Sequence, residues 1–118
     1  MLSGEQSLGN QRKRKCAEVN NVAEMHSAAK WDKKGLDMSA KGNYAFAIDA
    51  FTKSIDLNPK DASTYYCRAG AYAALGEHSK AIDDYSKVIE FNPDDCFSYS
   101  RRGYEYFQLK NFDKTIED

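Results

Sequence analysis

At 118 residues the chain has the length of one ordinary domain or of a few short repeats. Its formal net charge is only −1, with no strongly basic face to neutralise phosphates, which excludes general nucleic-acid binding. Apolar runs are a few residues long, too short to span a membrane as a helix, and three cysteines without CxxC spacing suit a reducing compartment.

The chain opens with a polar tail, residues 1–27. Its first stretch, MLSGEQSLGNQRKRKC, has no apolar core ahead of a cleavage site and is not a secretory signal. The basic run Arg12-Lys13-Arg14-Lys15 is read as solvated charge, with a nuclear-import patch as the alternative. Residues 17–30, AEVNNVAEMHSAAK, place Val19, Val22, Ala23 and His26 at helical spacing, which predicts a backward extension of the next helix, with residues 1–15 disordered. The expected compartment is the cytoplasm, with the nucleus as the alternative.

From residue 28 onward the sequence repeats itself. IDLNPKDA at 55–62 returns as IEFNPDDC at 89–96, and the match extends over 28–61 laid on 62–95, with 96–118 beginning a third copy. A 34-residue period in a chain whose two prolines both fall in the repeated phrase predicts stacked helix pairs and an all-α solenoid. In the second copy Tyr65, Ala69 and Tyr72 mark one face of a first helix, and Ala81, Tyr85, Val88 and Ile89 one face of a second. Gly42 and Gly76 fall between paired helices, where glycine relieves a tight turn. Asn58-Pro59 and Asn92-Pro93 end each pair, since proline lacks the N–H a continuing helix would need. Gly35 and Ala47 allow close approach, with Trp31 and Phe51 filling the space beside them. On this register Asp118 falls within the first turns of a sixth helix, so the chain reads as a fragment with apolar surface left on its last pair.

These residues resemble the tetratricopeptide repeat family. Its pattern appears as Trp31–Gly35–Met38–Ala47–Phe51–Pro59, returns as Tyr65–Ala69–Tyr72–Ala81–Tyr85–Pro93, and returns in part as Tyr99–Gly103–Tyr106. Lys34 and Arg68 depart from the family's usual leucine, and Thr115 from its buried alanine, which implies locally weaker packing. The resemblance implies that the first helices of successive pairs line a concave groove for a partner's extended peptide or helix. Carried over position by position, the groove takes Asp32, Lys33, Leu36 and Ser39 from the first copy. The second supplies Tyr66, Cys67, Gly70 and Ala74, and the third Phe97, Ser100, Arg101, Tyr104 and Gln108. Those expected to bind are Lys33, Leu36, Tyr66, Cys67, Gly70, Phe97, Arg101, Tyr104 and Gln108, because aromatic and arginine side chains on an otherwise solvated face suit a contact surface.

The co-chaperone branch of the family holds acidic chaperone tails with a clamp of two Lys, two Asn and one Arg. Here its places hold Asp32, Leu36, Cys67, Phe97 and Arg101, so only the arginine survives and a more apolar ligand is expected. A degenerate clamp of Lys33, Arg101 and Arg68 is the alternative, and self-association through the unfinished third repeat is another. No cofactor, metal site or catalysis is expected. His26 and His78 lack zinc-ligand spacing, and His78, aligned with Tyr44 and Phe112, is expected at a helix joint. Arg68 could lower the pKa of Cys67, but a small buried thiol is the preferred reading. Asp83-Asp84 is assigned to a solvated face and Asp94-Asp95 to an inter-repeat turn.

Overall fold

The computed structural model describes residues 27–117, with side chains to Asn111. The expectations placed on residues 1–26, the basic run among them, and on Phe112 and Thr115 lie outside those limits. The described residues form five helices and no strand: α1 over 27–40, α2 Tyr44–Leu57, α3 Ala62–Ala74, α4 His78–Phe91 and α5 Cys96–Glu117. Each of α3, α4 and α5 packs on the helix before it. The fold is the all-α solenoid that the 34-residue period predicts.

The turns follow from the residues at them. Gly42 and Gly76 have φ of 80° and 79°, a region where a Cβ is disfavoured. With the chain turned there, Asn43 N–H reaches back to Met38 O at 2.8 Å and Glu77 N–H to Tyr72 O at 2.9 Å, satisfying carbonyls at the helix ends. α3 starts where an Asp61 carboxylate oxygen accepts from Ser63 N–H at 3.1 Å. Asp95 repeats this for α5, accepting from Phe97 N–H at 3.1 Å. The Asp94-Asp95 pair thus sits at an inter-repeat turn as expected, and Asp95 caps a helix there.

The core runs through the stack as three apolar clusters. Ala47, Phe51 and Ala71 join α2 to α3, while Ala69, Ala81 and Tyr85 join α3 to α4. Ile55, Tyr65 and Val88 tie α2, α3 and α4 together. Burying one such large side chain contributes about 1.5–3 kcal/mol. Gly35 is needed for the same reason: a Cβ built there would lie 2.5 Å from the Phe51 ring, so only glycine lets α1 lie against α2.

Three expectations need correction. Asp84 is not on a solvated face; it is buried, and Arg68 donates to it from Nε and Nη2, both at 2.8 Å. Arg68 also donates to Thr52 Oγ1 at 3.2 Å and lies over the rings of Tyr65 and Tyr72, each 5.7 Å away. A guanidinium in leucine's place therefore bridges α2, α3 and α4 rather than loosening them. Finally, no sixth helix begins near residue 112, because α5 continues unbroken to Glu117. Lys110 stands where Gly42 and Gly76 make their turns, and lysine favours continuing a helix over a positive φ.

Candidate functional site

The 34-residue repeat puts α1, α3 and α5 in the same place in successive pairs, and their aligned sides leave a line of cavities. Between α1 and α3, a cavity of about 90 Å³ is lined by Asp32, Leu36, Phe51, Ser63, Thr64 and Cys67. Beside it, a cavity of about 260 Å³ reaches all three helices through Leu36, Ser39, Tyr66, Cys67, Gly70 and Arg101. Between α3 and α5, one of about 500 Å³ is lined by Tyr66, Cys67, Asn92, Asp95 and Phe97. Another of about 450 Å³ is lined by Gly70, Ala74, Arg101, Tyr104, Glu105 and Gln108.

The structure thus brings Leu36, Tyr66, Cys67, Gly70, Phe97, Arg101, Tyr104 and Gln108 to one side of the stack. Lys33 is exposed and lines none of these four cavities. Arg68 points away from the groove into its bridge with Asp84, so it is unavailable to a clamp there. Sequence reasoning missed the groove floor: Phe51 and Tyr85 belong to the buried stripes of α2 and α4, yet their rings line the cavity between the first helices. Helical spacing marks such residues as core, and nothing in it shows that the same buried rings also form the floor of the groove.

The groove's electrostatics are mild. The Asp32 carboxylate, which accepts from Thr64 Oγ1 at 2.9 Å, faces the α1–α3 cavity. Burial pushes the Cys67 thiol above its ordinary pKa, and Asp32 and Asp61 push it further, so its Arg68 neighbour does not activate it. Burial also raises the Tyr85 phenol from 10.0 to about 12, although Arg101 beside it acts the other way. Phe97 and Tyr104 stand well exposed on α5, and the Tyr104 hydroxyl accepts from Gln108 Nε2. His78 lies at a helix joint as expected. Its Nδ1 meets a carboxylate oxygen of the buried Glu105 at 2.5 Å, tying α4 to α5 where the preceding joint packs Tyr44 against the cluster of Ala47, Phe51 and Ala71. Among the described residues no group of three or more His, Cys, Asp or Glu is placed to hold a metal ion, and no helix is long and apolar enough to cross a membrane.

A family model, the tetratricopeptide repeat, matches residues 62–95. Solved structures resemble the chain over most of its length. The first such domain of human RPAP3 is 32% identical over 75% of this chain and 69% of that one, with a TM-score of 0.68. The first such domain of Spaghetti (RPAP3), solved bound to an HSP90 peptide SRMEEVD, is 30% identical over 75% of this chain and 71% of that one, with a TM-score of 0.70. The TPR2B domain of yeast Sti1, in a complex with Hsp70, is 29% identical over 78% of this chain and 74% of that one, with a TM-score of 0.69. No curated protein sequence matches the chain.

Proposed function

The chain belongs to the tetratricopeptide repeat family, and from that premise we propose that it is a scaffold or co-chaperone-like adaptor whose concave groove binds another protein. The observation carrying this reading is the unbroken line of cavities on α1, α3 and α5, with Tyr66, Phe97 and Tyr104 exposed or half-exposed along it. Rings aligned beside the exposed cation of Arg101 suit an extended peptide or a helix with apolar side chains. Binding is non-covalent and needs no cofactor, and the cytoplasm is the compartment in which we place it.

The ligand is proposed to be more apolar than a free chaperone tail. Asp32 would repel a terminal carboxylate, and Leu36 and Phe97 offer it no side-chain donor. The competing reading, a chaperone tail held by a reduced clamp, is favoured by Arg101 and by the chaperone peptides bound to the Spaghetti and Sti1 domains. Titration with SRMEEVD and with its C-terminal amide separates the two. Micromolar binding that needs the free carboxylate and falls at least tenfold in Arg101→Ala would establish the clamp. No binding by either peptide leaves the apolar ligand. For a partner then captured, Tyr104→Ala is expected to weaken binding with the helix signal intact, and unchanged affinity would remove Tyr104 from the site.

A second reading is self-association through α5, favoured by the exposure of Tyr99, Tyr106 and Phe107.

A further inference from the structure

α5 has two unlike sides. Phe97, Arg101 and Tyr104 line the groove, while Tyr99, Arg102, Gly103 and Tyr106 share a strip on the opposite side, a turn apart from one another. Position for position, that strip repeats the side of α3 that α4 covers. There Tyr65 is 8% exposed and Ala69 is fully buried against Tyr85. One repeat later Tyr99 is 45% and Tyr106 54% exposed. α5 continues unbroken to Glu117, so among the described residues no following helix lies over the strip.

Two details define what would fit there. The first is a notch. A Cβ built on Gly35 of α1 would lie 2.5 Å from the Phe51 ring, whereas one built on Gly103, the same position in α5, would meet nothing within 4 Å. The second is a cation. Arg68 Nη1 donates to Thr52 Oγ1 at 3.2 Å, and Arg102 Nη1 donates to Ser86 Oγ, one repeat later, at the same distance. Each guanidinium also lies over the tyrosine one turn before it. Arg68 completes its set with the Asp84 carboxylate, but among the described residues no carboxylate forms an ion pair with Arg102.

We propose that this strip is a second docking surface, taken by an amphipathic helix of another protein that presents a carboxylate directly followed by an aromatic ring. The carboxylate meets Arg102, and the ring enters the notch at Gly103 between Tyr99 and Tyr106. α4 shows the fit on α3, with Asp84 on Arg68 and Tyr85 on Ala69. A second copy of this chain is the poorer occupant. α2 has Ala50 before Phe51, and Asp84 and Tyr85 of α4 are buried in their own stack, so a copy would have to open its core to offer them. The strip lies across α5 from the groove, so both surfaces can be filled at once and the chain can link two proteins.

The probe is a synthetic peptide of residues 77–92, EHSKAIDDYSKVIEFN, which is α4 with its two caps. It is titrated into the full chain by calorimetry, with folding followed by circular dichroism. The wild type is expected to bind it at a single site. Arg102→Glu is expected to weaken binding about tenfold, and a peptide carrying Asp84→Arg to restore it. Gly103→Leu fills the notch and is expected to weaken binding similarly. That chain stays folded, because leucine favours a helix and a Cβ there meets nothing. A ligand held in the groove keeps its affinity for Gly103→Leu, so failure of this proposal leaves the groove reading standing. No binding by the wild type would overturn the proposal. So would an affinity that neither chain variant changes, the result if the peptide displaced the chain's own α4. A wild type that dimerises as concentration rises, with a Gly103→Leu chain that does not, would give the strip to a second copy and overturn it too.

Discussion

Replacing Arg68 by alanine tests whether the buried bridge holds the stack. The change removes both 2.8 Å hydrogen bonds to Asp84 and leaves that carboxylate, 5% exposed, without its cation. Removing one partner of a buried pair costs about 3–5 kcal/mol. The Arg68 side chain keeps 17% of its surface in water, so the expected loss is at the lower end, about 3 kcal/mol. For a module of this size, with a urea slope of about 1–2 kcal/mol/M, the midpoint should fall by about 1.5–3 M. Arg68→Leu with Asp84→Leu removes both charges and should lie within about 1 kcal/mol of the wild type, because an apolar pair avoids desolvation altogether. The assay is urea unfolding followed by circular dichroism over the full double-mutant cycle. A shift under about 0.5 M for Arg68→Ala, or a cycle without coupling, would refute the claim that this pair joins the helices. Since Arg68 faces away from the groove, any partner's affinity for the folded variant should not change.

Other outcomes are expected from single changes. Gly35→Ala puts a Cβ against the fully buried Phe51 ring and should cost about 1–3 kcal/mol, read as a lower melting temperature. Ala81→Asp places an unpaired charge at a fully buried position between α3 and α4 and should unfold the module; an unaltered melting curve would mean the helices do not pair in this register. The Tyr85 phenol, raised chiefly by burial from 10.0 to about 12, gives a pH dependence. Its contribution is fully present below pH 10 and is lost as the pH rises towards 12, by roughly 2–3 kcal/mol. Urea midpoints at pH 9 and 11.5 should therefore differ less in Tyr85→Phe than in the wild type.

The solenoid was legible because its determinants are local and repeated. Gly42 and Gly76 take the positive φ that a turn needs, and Ala47, Phe51, Ala81 and Tyr85 occupy the buried faces that the spacing assigns them. What escaped the sequence depends on partners distant along the chain. Arg68 looks like a misfit in leucine's place and Asp84 like solvated charge until α3 and α4 pack and bring them together. Glu105 is as ordinary on paper, and only packing shows it buried against His78. The end of the third repeat was misjudged because the repeat predicts a turn at residue 110, whereas the side chain there opposes one. Thus the period fixes where a turn belongs, and the residue at that place decides whether it forms.

The misjudged charges show how one helix serves two surfaces. In α3, Cys67 faces the groove while Arg68, one residue on and rotated by roughly 100°, faces the neighbouring helices. A charge on the groove side meets whatever ligand arrives, whereas a charge on the stacking side must find its counterpart within the chain. The first repeat has Ala50 where the second has Asp84. Lys34, where the second has Arg68, lies 5.2 Å from the Trp31 ring centre, which Lys53 of α2 also covers at 4.4 Å. Were α3 to take α2 instead of α4 as its second helix, Arg68 would meet Ala50 and remain buried without a carboxylate. The charges on the stacking side therefore select which helices pair, which leaves the groove side free to vary with the ligand.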